Sequence, residues 1–135
     1  MDREYKSNHN VVYSCKYHVV WCSKYRRKVL VGEVETRLKE LVTSICEENG
    51  IELLAIELMP DHIGLSLEVE PQLGIHRAVK AIKGKTSRIL REEFPSLRTR
   101  IPTLWTNSYY VSTIGEESEE SVEQYIRSQE TSQRK

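Results

Sequence analysis

Cysteine is scarce in the 135-residue sequence, and its distribution argues against several classes of protein. The three cysteines are Cys15, Cys22 and Cys46. Their count is odd, and they show neither CxxC spacing nor paired histidines, which argues against a disulfide scaffold and a zinc knuckle. The sequence also lacks an apolar run near the ~18 residues of a membrane span, and no charged-then-apolar signal segment opens it. We therefore expect a cytoplasmic protein with reduced thiols and no membrane segment.

Net charge is absent as well, because twenty basic residues balance twenty acidic ones. The charges are nevertheless segregated along the chain. Residues 1–31 carry seven basic and two acidic residues, and residues 75–91 carry six basic residues and no acid. Segregated charge can build a positive face on a neutral protein, and phosphate binding responds to that local field. Charge alone does not distinguish such a nucleic-acid surface from a solvated basic helix.

Repeats, low-complexity tracts and Pro/Gly-rich linkers are absent, so residues 1–135 are predicted to form a single domain. Hydrophobic periodicity predicts the order β-α-β-β-α-β followed by a last helix. The predicted strands cover residues 11–22, 51–58, 62–69 and 105–114, and the predicted helices cover 33–49, 75–94 and about 122–129. This order is typical of an α+β, ferredoxin-like (split β-α-β, RRM-like) fold, in which an antiparallel sheet carries helices on one face. Many unrelated functions use this fold.

His62 is the first candidate for chemistry, because it begins the third predicted strand directly after a Pro-Asp turn. Side chains alternate faces along a strand, so the apolar residues from Ile63 to Val69 point to the core. His62, Gly64, Ser66 and Glu68 then share the opposite, polar face. A lone histidine in such a position is either structural or catalytic.

The last predicted helix carries a second candidate, Tyr125. Gln129 lies four residues later and therefore shares its helical face, and Val122 and Ile126 flank the same side. Tyr125 is either a core tyrosine with a satisfied hydroxyl or a nucleophile with a carboxamide oxygen one turn away. Gly115, which precedes this helix, is either a hinge or an ordinary turn glycine.

Several motifs together resemble one protein family. The segment Met59-Pro60-Asp61-His62-Ile63-Gly64-Leu65 is similar to the Met-Pro-Asp-His-hydrophobic-His-Leu signature of the HUH single-tyrosine transposases of the IS200/IS605 type. Further matches, in the family's order, lie at residues 17–26, 79–88, 104–111 and 125–129. The resemblance covers about residues 11–130, which is nearly the whole chain.

The resemblance implies a chemistry for the candidate residues. Members of this family hold one divalent metal, Mg²⁺ or Mn²⁺, with two histidines and a glutamine, and a tyrosine attacks the scissile phosphate to form a 5′-phosphotyrosine link. This link conserves the energy of the phosphodiester, so no nucleotide cofactor is needed. By position, His62 is implied as a metal ligand, Gln129 as another, and Tyr125 as the nucleophile.

The resemblance also implies partners. Family members bind subterminal hairpins in single-stranded DNA and act as homodimers, in which the tyrosine helix of one subunit serves the histidines of the other. We therefore expect a homodimer with a shared active site. Two basic segments are the candidates for contacts with DNA, and they comprise Lys24, Arg26, Arg27 and Lys28 together with Lys80, Lys83, Lys85 and Arg88.

One position departs from the family signature, because Gly64 stands where the second metal histidine is expected. Glycine offers no side-chain ligand, and losing one imidazole from three should weaken metal binding. Three alternatives follow: a decayed or domesticated copy that binds DNA without cutting it, an engineered inactive variant, or a weakly active enzyme in which water, Asp61 or Glu68 fills the gap. A ferredoxin-like RNA-binding module is a further alternative, but its glycine-aromatic motif is missing.

Overall fold

The computed structural model describes residues 5–7, 12–114 and 119–133. A small pair of strands, β1 (Lys6–Ser7) and β2 (Val12–Tyr13), precedes the main body. The elements that follow are β3 (Lys16–Cys22), a 3-10 turn at Lys24–Arg26, α1 (Glu33–Glu48), β4 (Glu52–Met59), β5 (His62–Glu68), α2 (Ile75–Glu93), α3 (Ser96–Thr99), β6 (Tyr110–Thr113) and α4 (Glu119–Gln133).

The main sheet has four strands in the order β4-β5-β3-β6, and every neighbouring pair is antiparallel. The first strand of the β-α-β-β-α-β series, β3, therefore lies between the third, β5, and the last, β6. This is the split β-α-β topology of the ferredoxin-like fold, so the predicted α+β class is confirmed. The two central strands are β5 and β3, and they place the candidate residues.

The register between β3 and β5 separates a core face from a polar face. Val19 pairs with Leu65 and Trp21 pairs with Ile63, and all four side chains are fully buried. They join apolar residues of α1 and α2 in one core cluster, as the alternation along the strand predicts. The next residues along each strand, including His62 and Gly64, therefore lie on the opposite face of the sheet. No helix in the described ranges is long and apolar enough to cross a bilayer.

Helix α1 ends where the sequence places a C-terminal cap. Gly50 adopts a positive φ of 67°, which glycine allows at little cost. The amide of Gly50 donates to the Glu47 carbonyl at 3.3 Å, and the amide of Ile51 donates to the Cys46 carbonyl at 2.9 Å. This pair of bonds is a Schellman motif, and it turns the chain directly into β4.

The predicted strand over residues 105–114 is too long, because β6 covers only Tyr110–Thr113. Trp105 makes a single isolated bridge with Ser23, and the chain then leaves the sheet. The carbonyls of Thr106 and Ser108 both accept hydrogen bonds from the Lys83 ammonium group on α2, at 2.6 and 3.1 Å. These carbonyls are thus drawn toward a helix instead of a strand, which the residue pattern of the segment does not reveal.

Candidate active site on the open face of the sheet

His62 lies at the start of β5, directly opposite Cys22 on β3. Its Nδ1 atom is 2.7 Å from Oδ1 of Asp61, the preceding residue, whose side chain is only 10% exposed. An ionised carboxylate at this distance accepts a hydrogen bond from Nδ1–H, and in that tautomer Nε2 carries the free lone pair. A histidine supported in this way is typical of metal sites and of proton-transfer sites.

Arg26 also pairs with the Asp61 carboxylate, at the oxygen that His62 does not contact. The guanidinium donates from Nε and Nη2 to the same carboxylate oxygen, Oδ2, at 3.0 and 2.8 Å. Burial acts to raise the pKa of Asp61, but the hydrogen bonds from His62 and Arg26 outweigh it and hold that pKa below its usual value. Asp61 is therefore ionised at neutral pH, and it fixes the orientation of both partners.

The turn that supplies Arg26 has an unusual backbone. Tyr25 and Arg26 have φ values of 60° and 52°, in the left-handed region that non-glycine residues rarely adopt. The Ser23 hydroxyl donates to the Arg27 carbonyl at 2.6 Å, and the Ser23 amide donates to the Asp61 carbonyl at 3.0 Å. The first bond closes the turn on itself and the second joins its start to the Pro60-Asp61 corner, which helps to sustain the strained conformation.

Gly64 lies two residues beyond His62 on the same face and pairs with Val20 on β3 and Glu57 on β4. A β-carbon at Gly64 would meet His18 Cε1 at 3.7 Å, Val20 Cγ2 at 3.8 Å and Glu57 Cβ at 3.9 Å, which are ordinary van der Waals distances. The backbone therefore accepts a β-carbon here without a clash. His18 and Glu57 are the titratable residues nearest to this position, and sequence reasoning missed them because they are revealed only by the strand register.

The donor set on this face does not complete the metal site that the sequence resemblance implies. In the described part of the chain, no group of three or more His, Cys, Asp or Glu side chains is placed to hold a metal ion. Asp61 is committed to His62 and Arg26, as described above. Glu68 is buried and accepts a hydrogen bond from the Cys15 amide at 3.3 Å. Neither of the two acids considered from the sequence is therefore available to replace the missing histidine.

Tyr125 and Gln129 both form hydrogen bonds with the hydroxyl group of Ser108. The Ser108 hydroxyl donates to Gln129 Oε1 at 3.1 Å and lies 2.9 Å from the Tyr125 hydroxyl. Because the single hydroxyl hydrogen of Ser108 is directed to Gln129, the Tyr125 hydroxyl donates a hydrogen bond to Ser108 Oγ. Ser108 was not a candidate from the sequence, since nothing in the chain order places it beside the last helix.

Tyr125 is half-buried, and burial is the largest cause that raises its pKa. Hydrogen bonding with Ser108 and with Thr106 acts in the opposite direction, and Cys22 adds a smaller upward effect. The tyrosine is therefore a neutral phenol at neutral pH. Cys22 lies directly across from His62 on the neighbouring strand.

Helix α4 lies against its own chain, where it contacts the 3-10 turn and β3. The ring of Tyr125 is 6.0 Å from the ring of Tyr110, measured between centroids. Tyr110 pairs with Val20, which pairs with Gly64, so these three residues share one face of the sheet. Tyr125 thus lies over the face that carries His62. Gly115, the candidate hinge, lies outside the described residues.

The predicted DNA-binding residues differ in their surroundings. Arg26 is hydrogen-bonded to Asp61, and the half-buried Lys83 is hydrogen-bonded to the carbonyls of residues 106 and 108. Most of the other predicted residues are exposed. Lys85 and Arg88 make surface ion pairs with Glu48 and Glu92, at 3.1 and 3.9 Å. Of the predicted DNA-binding residues, Arg27, Lys28, Lys80, Lys85 and Arg88 are exposed, and Lys24 is partly buried.

Comparisons with known proteins give concordant results. A family model described as "Transposase IS200 like" matches residues 11–129. The chain is 40% identical to the ISDra2 transposase TnpA of Deinococcus radiodurans over 128 residues, which cover 93% of this chain and 91% of that protein. It is 32% identical to the transposase for insertion sequence element IS200 of Salmonella typhimurium over 126 residues, which cover 92% and 82%.

Solved structures are similar as well. A crystal structure of a transposase from Deinococcus radiodurans R1 superposes with a TM-score of 0.84 at 41% identity, over 92% of this chain and 97% of that chain. A REP-associated tyrosine transposase bound to a REP hairpin superposes with a TM-score of 0.56 at 12% identity, over 93% and 67%. The second likeness is one of fold alone.

The inward position of Lys83 generates a prediction about stability. Replacing Lys83 with Met leaves the carbonyls of Thr106 and Ser108 without their donor, so we expect a loss of about 1–3 kcal/mol in the free energy of unfolding. The matched variant Lys85→Met removes only a surface ion pair and should cost about 0–1 kcal/mol. Denaturant unfolding at pH 7 measures both, and equal effects would contradict a structural role for Lys83.

The stability difference between wild type and Lys83→Met should also depend on pH. Burial lowers the pKa of Lys83 to about 8, from an ordinary value of 10.5. Between these two values the unfolded chain binds more protons than the folded chain, so this residue makes stability rise with pH across that window. The difference in unfolding free energy between wild type and Lys83→Met should therefore increase from pH 8 to pH 10.

Proposed function

Because the chain belongs to the IS200-like transposase family, we propose that it binds hairpins in the single-stranded DNA of an insertion sequence, and cleaves and rejoins the strands through Tyr125. One observation carries this proposal: the Tyr125 hydroxyl is hydrogen-bonded beside Gln129 over the sheet face that holds His62. A tyrosine needed only for packing requires neither the carboxamide nor the carboxylate-supported histidine. We place this activity in the cytoplasm, where the DNA of a mobile element is accessible.

The proposed reaction is a transesterification. The Tyr125 oxygen attacks the phosphorus of a phosphodiester, a bond forms between them, and the bond from phosphorus to the 3′ oxygen breaks. The tyrosine proton, which points to Ser108 Oγ, leaves as attack proceeds, and the departing 3′ oxygen gains one proton. The products are a 5′-phosphotyrosine and a free 3′ hydroxyl. Because the number of phosphoester bonds is unchanged, reversal rejoins DNA without a nucleotide cofactor.

A divalent metal, Mg²⁺ or Mn²⁺, would neutralise charge on the phosphate in this reaction. His62 Nε2 and Gln129 Oε1 are the two protein atoms that we assign to it. Two ligands are few even for Mg²⁺, which usually keeps several waters. We therefore propose that Gly64 leaves this protein with weak metal affinity, and with cleavage slower than a complete site would give.

A hairpin is the DNA class that the fold favours. The REP-associated tyrosine transposase, which shares the fold, was solved with a REP hairpin bound. In this chain the exposed basic residues of the 24–28 turn and of α2 supply the positive charge that phosphates require. We assign the contacts with the DNA backbone to Arg27, Lys28, Lys80, Lys85 and Arg88. The partly buried Lys24 is assigned a lesser contact.

We further propose a homodimer in which α4 is exchanged between two copies. In the single chain, α4 contacts the 3-10 turn and β3, and the ring of Tyr125 lies beside that of Tyr110. The same surfaces would accept α4 of a second copy without any change in their chemistry. Each active site would then combine His62 of one subunit with the tyrosine helix of the other.

A second candidate function is hairpin binding without cleavage. Two observations favour it: Gly64 removes a ligand, and Gln129 Oε1 is already bonded to Ser108 in the single chain. The family assignment and the DNA-binding surface are common to both candidates. Only an assay for the covalent adduct separates them.

The charge prediction concerns the exposed part of α2. Replacing Lys85 and Arg88 together with Gln should weaken binding to a DNA hairpin and reduce the slope of log K against log salt by about 0.7–0.9 for each phosphate that the protein no longer neutralises. Lys39→Gln, on the exposed side of α1, is the control and should leave the slope unchanged. A double variant with the wild-type slope would show that this part of α2 is only a solvated face.

The nucleophile prediction concerns Tyr125. Tyr125→Phe should abolish the covalent protein–DNA adduct, because it removes only the attacking oxygen, while hairpin binding stays within about twofold of wild type. Denaturing gel electrophoresis of labelled single-stranded DNA, with a mobility assay in parallel, measures both. An adduct that survives this substitution would mean that the nucleophile has been misassigned.

The same variant tests the exchange of α4. Tyr125→Phe and His62→Ala are each expected to be inactive alone. Mixed, they can form heterodimers in which one site has both wild-type residues only if the tyrosine of one subunit serves the other subunit. Recovery of the adduct on mixing supports the exchange, and no recovery from mixed dimers contradicts it.

The metal prediction concerns Gly64. Gly64→His adds a nitrogen ligand where the β-carbon meets only ordinary van der Waals neighbours, so the protein should fold, bind Mn²⁺ more tightly by calorimetry, and nick DNA at least ~10-fold faster. Gly64→Leu adds similar bulk without a ligand and is the matched control. If Gly64→His folds and binds Mn²⁺ more tightly but does not nick faster, the lost histidine is not the limiting defect.

A further inference from the structure

Glu57 lies directly across from Gly64, the position at which the open face of the sheet lacks a side chain. The two residues are paired in the register between β4 and β5, and a β-carbon built at Gly64 would lie 3.9 Å from Glu57 Cβ. Residues paired across antiparallel strands point to the same face of the sheet. His62 shares that face with Gly64, because it lies two residues away on the same strand. Glu57 therefore projects from the face that carries His62, one strand away.

The fold makes no use of the Glu57 carboxylate. The residue is exposed, and it makes no hydrogen bond or ion pair with any other residue in the described part of the chain. The neighbouring acids differ in this respect. Asp61 and Glu68 are held by hydrogen bonds within the chain, and Glu52, at the other end of β4, is ion-paired with Lys6. The Glu57 carboxylate is thus available to a ligand on this face.

The negative charge of Glu57 is unfavourable for DNA binding unless a cation lies beside it. The face that carries His62 is the one where we place the scissile phosphate, and a carboxylate repels a phosphate. A divalent cation between the two groups attracts both of them. Carboxylate oxygens are also the ligands that Mg²⁺ and Mn²⁺ prefer in proteins. The chemistry of Glu57 therefore fits the cation that the proposed reaction requires.

We propose that Glu57 takes the place of the histidine that Gly64 lacks, as a ligand of the divalent metal. The donors are then a carboxylate oxygen of Glu57, Nε2 of His62 and Oε1 of Gln129. This inference rests on the proposed function, because it completes the metal site of the same reaction. Glu57 and His62 lie on neighbouring strands of one sheet. Their pairing therefore does not depend on the exchange of α4 between subunits.

The exchange of imidazole for carboxylate changes the preference of the site. A carboxylate is a harder donor than an imidazole, so the wild-type site favours Mg²⁺ and Mn²⁺ more strongly over ions that prefer nitrogen, such as Ni²⁺. The exposed side chain of Glu57 also loses rotamer freedom when it binds a metal, which lowers the affinity that it supplies. A histidine at residue 64, on a central strand, therefore still binds Mn²⁺ more tightly than Glu57 does.

Calorimetric titration of the protein with Mn²⁺ alone, without DNA, tests the assignment. Glu57→Gln keeps the size of the side chain and removes its charge, so it should weaken Mn²⁺ binding by at least ~10-fold. The melting temperature of the metal-free protein should not change, because Glu57 is exposed. Glu52→Gln makes the same change at the other end of β4 and is the matched control. It should leave the Mn²⁺ affinity within about twofold of wild type, since charges so far apart are screened.

A double-mutant cycle with Gly64→His separates a ligand from a merely structural residue. In the Gly64→His protein an imidazole already fills the missing place, so adding Glu57→Gln should weaken Mn²⁺ binding by only about threefold or less. The double variant should also bind Ni²⁺ more tightly relative to Mn²⁺ than wild type does, because an imidazole has replaced a carboxylate. A structural role for Glu57 would change neither the coupling nor the metal preference.

DNA binding gives an independent measurement in which the effect of the substitution changes sign. The probe is a DNA hairpin with a single-stranded flank. In EDTA, Glu57→Gln should bind this probe at least as tightly as wild type, because a negative charge has been removed from the face that meets the phosphate. In saturating Mn²⁺ it should bind more weakly than wild type, because the metal that joins protein and phosphate is held less well.

The outcomes are distinct. Glu57→Gln protein that binds Mn²⁺ like wild type, while His62→Ala protein does not, would overturn the assignment of Glu57 and leave the proposed function intact. Equal losses from Glu57→Gln in both backgrounds would also overturn it. A loss on His18→Gln instead would assign the place to the imidazole on the other side of Gly64, whose Cε1 lies 3.7 Å from the built β-carbon. A wild-type protein that binds neither Mn²⁺ nor the hairpin would refute the proposed function itself.

Discussion

The placement of the candidate site depends on the Asp61 carboxylate. One of its oxygens holds the imidazole of His62 and the other holds the guanidinium of Arg26. The second contact keeps the 3-10 turn in a left-handed conformation that an isolated peptide would rarely adopt. Helix α4 lies against that turn, so the position of Tyr125 depends on the same charge as the orientation of His62. One buried anion therefore organises both halves of the site, although it belongs to neither.

The fold could be predicted from the sequence because its main signals are local and consistent. Alternation along residues 62–69, helical spacing in α1 and α2, and Gly50 after α1 each agree with the final structure. The short β6 could not be predicted, because the bonds that divert residues 106–108 come from Lys83, more than twenty residues away. The helical pattern shows that Lys83 lies off the apolar face of α2, but it does not reveal that the ammonium group turns back into the protein.

For the candidate site, the sequence predicts which side chains of a single element share a face, but not which elements come together. Tyr125 and Gln129 share a face because they are four residues apart, and His62 and Gly64 share one because they are two apart, which are both properties of a single element. Ser108, His18 and Glu57 escaped prediction because each enters the site from another element, across a register that only the folded sheet defines. Gly64 is the opposite case. The sequence shows that a side chain is missing there, but only the neighbouring strands show whether a β-carbon would fit.

The segment 105–109 has two sides with different neighbours. On one side, Tyr109 stacks on His76 of α2 and Trp105 donates a hydrogen bond to Thr86 of α2, while on the other Ser108 is hydrogen-bonded to Tyr125 and Gln129, and Lys83 fixes the backbone between them. A substitution on the α2 side that moves this backbone would therefore move Ser108 too, and with it the hydrogen bonds of Tyr125 and Gln129.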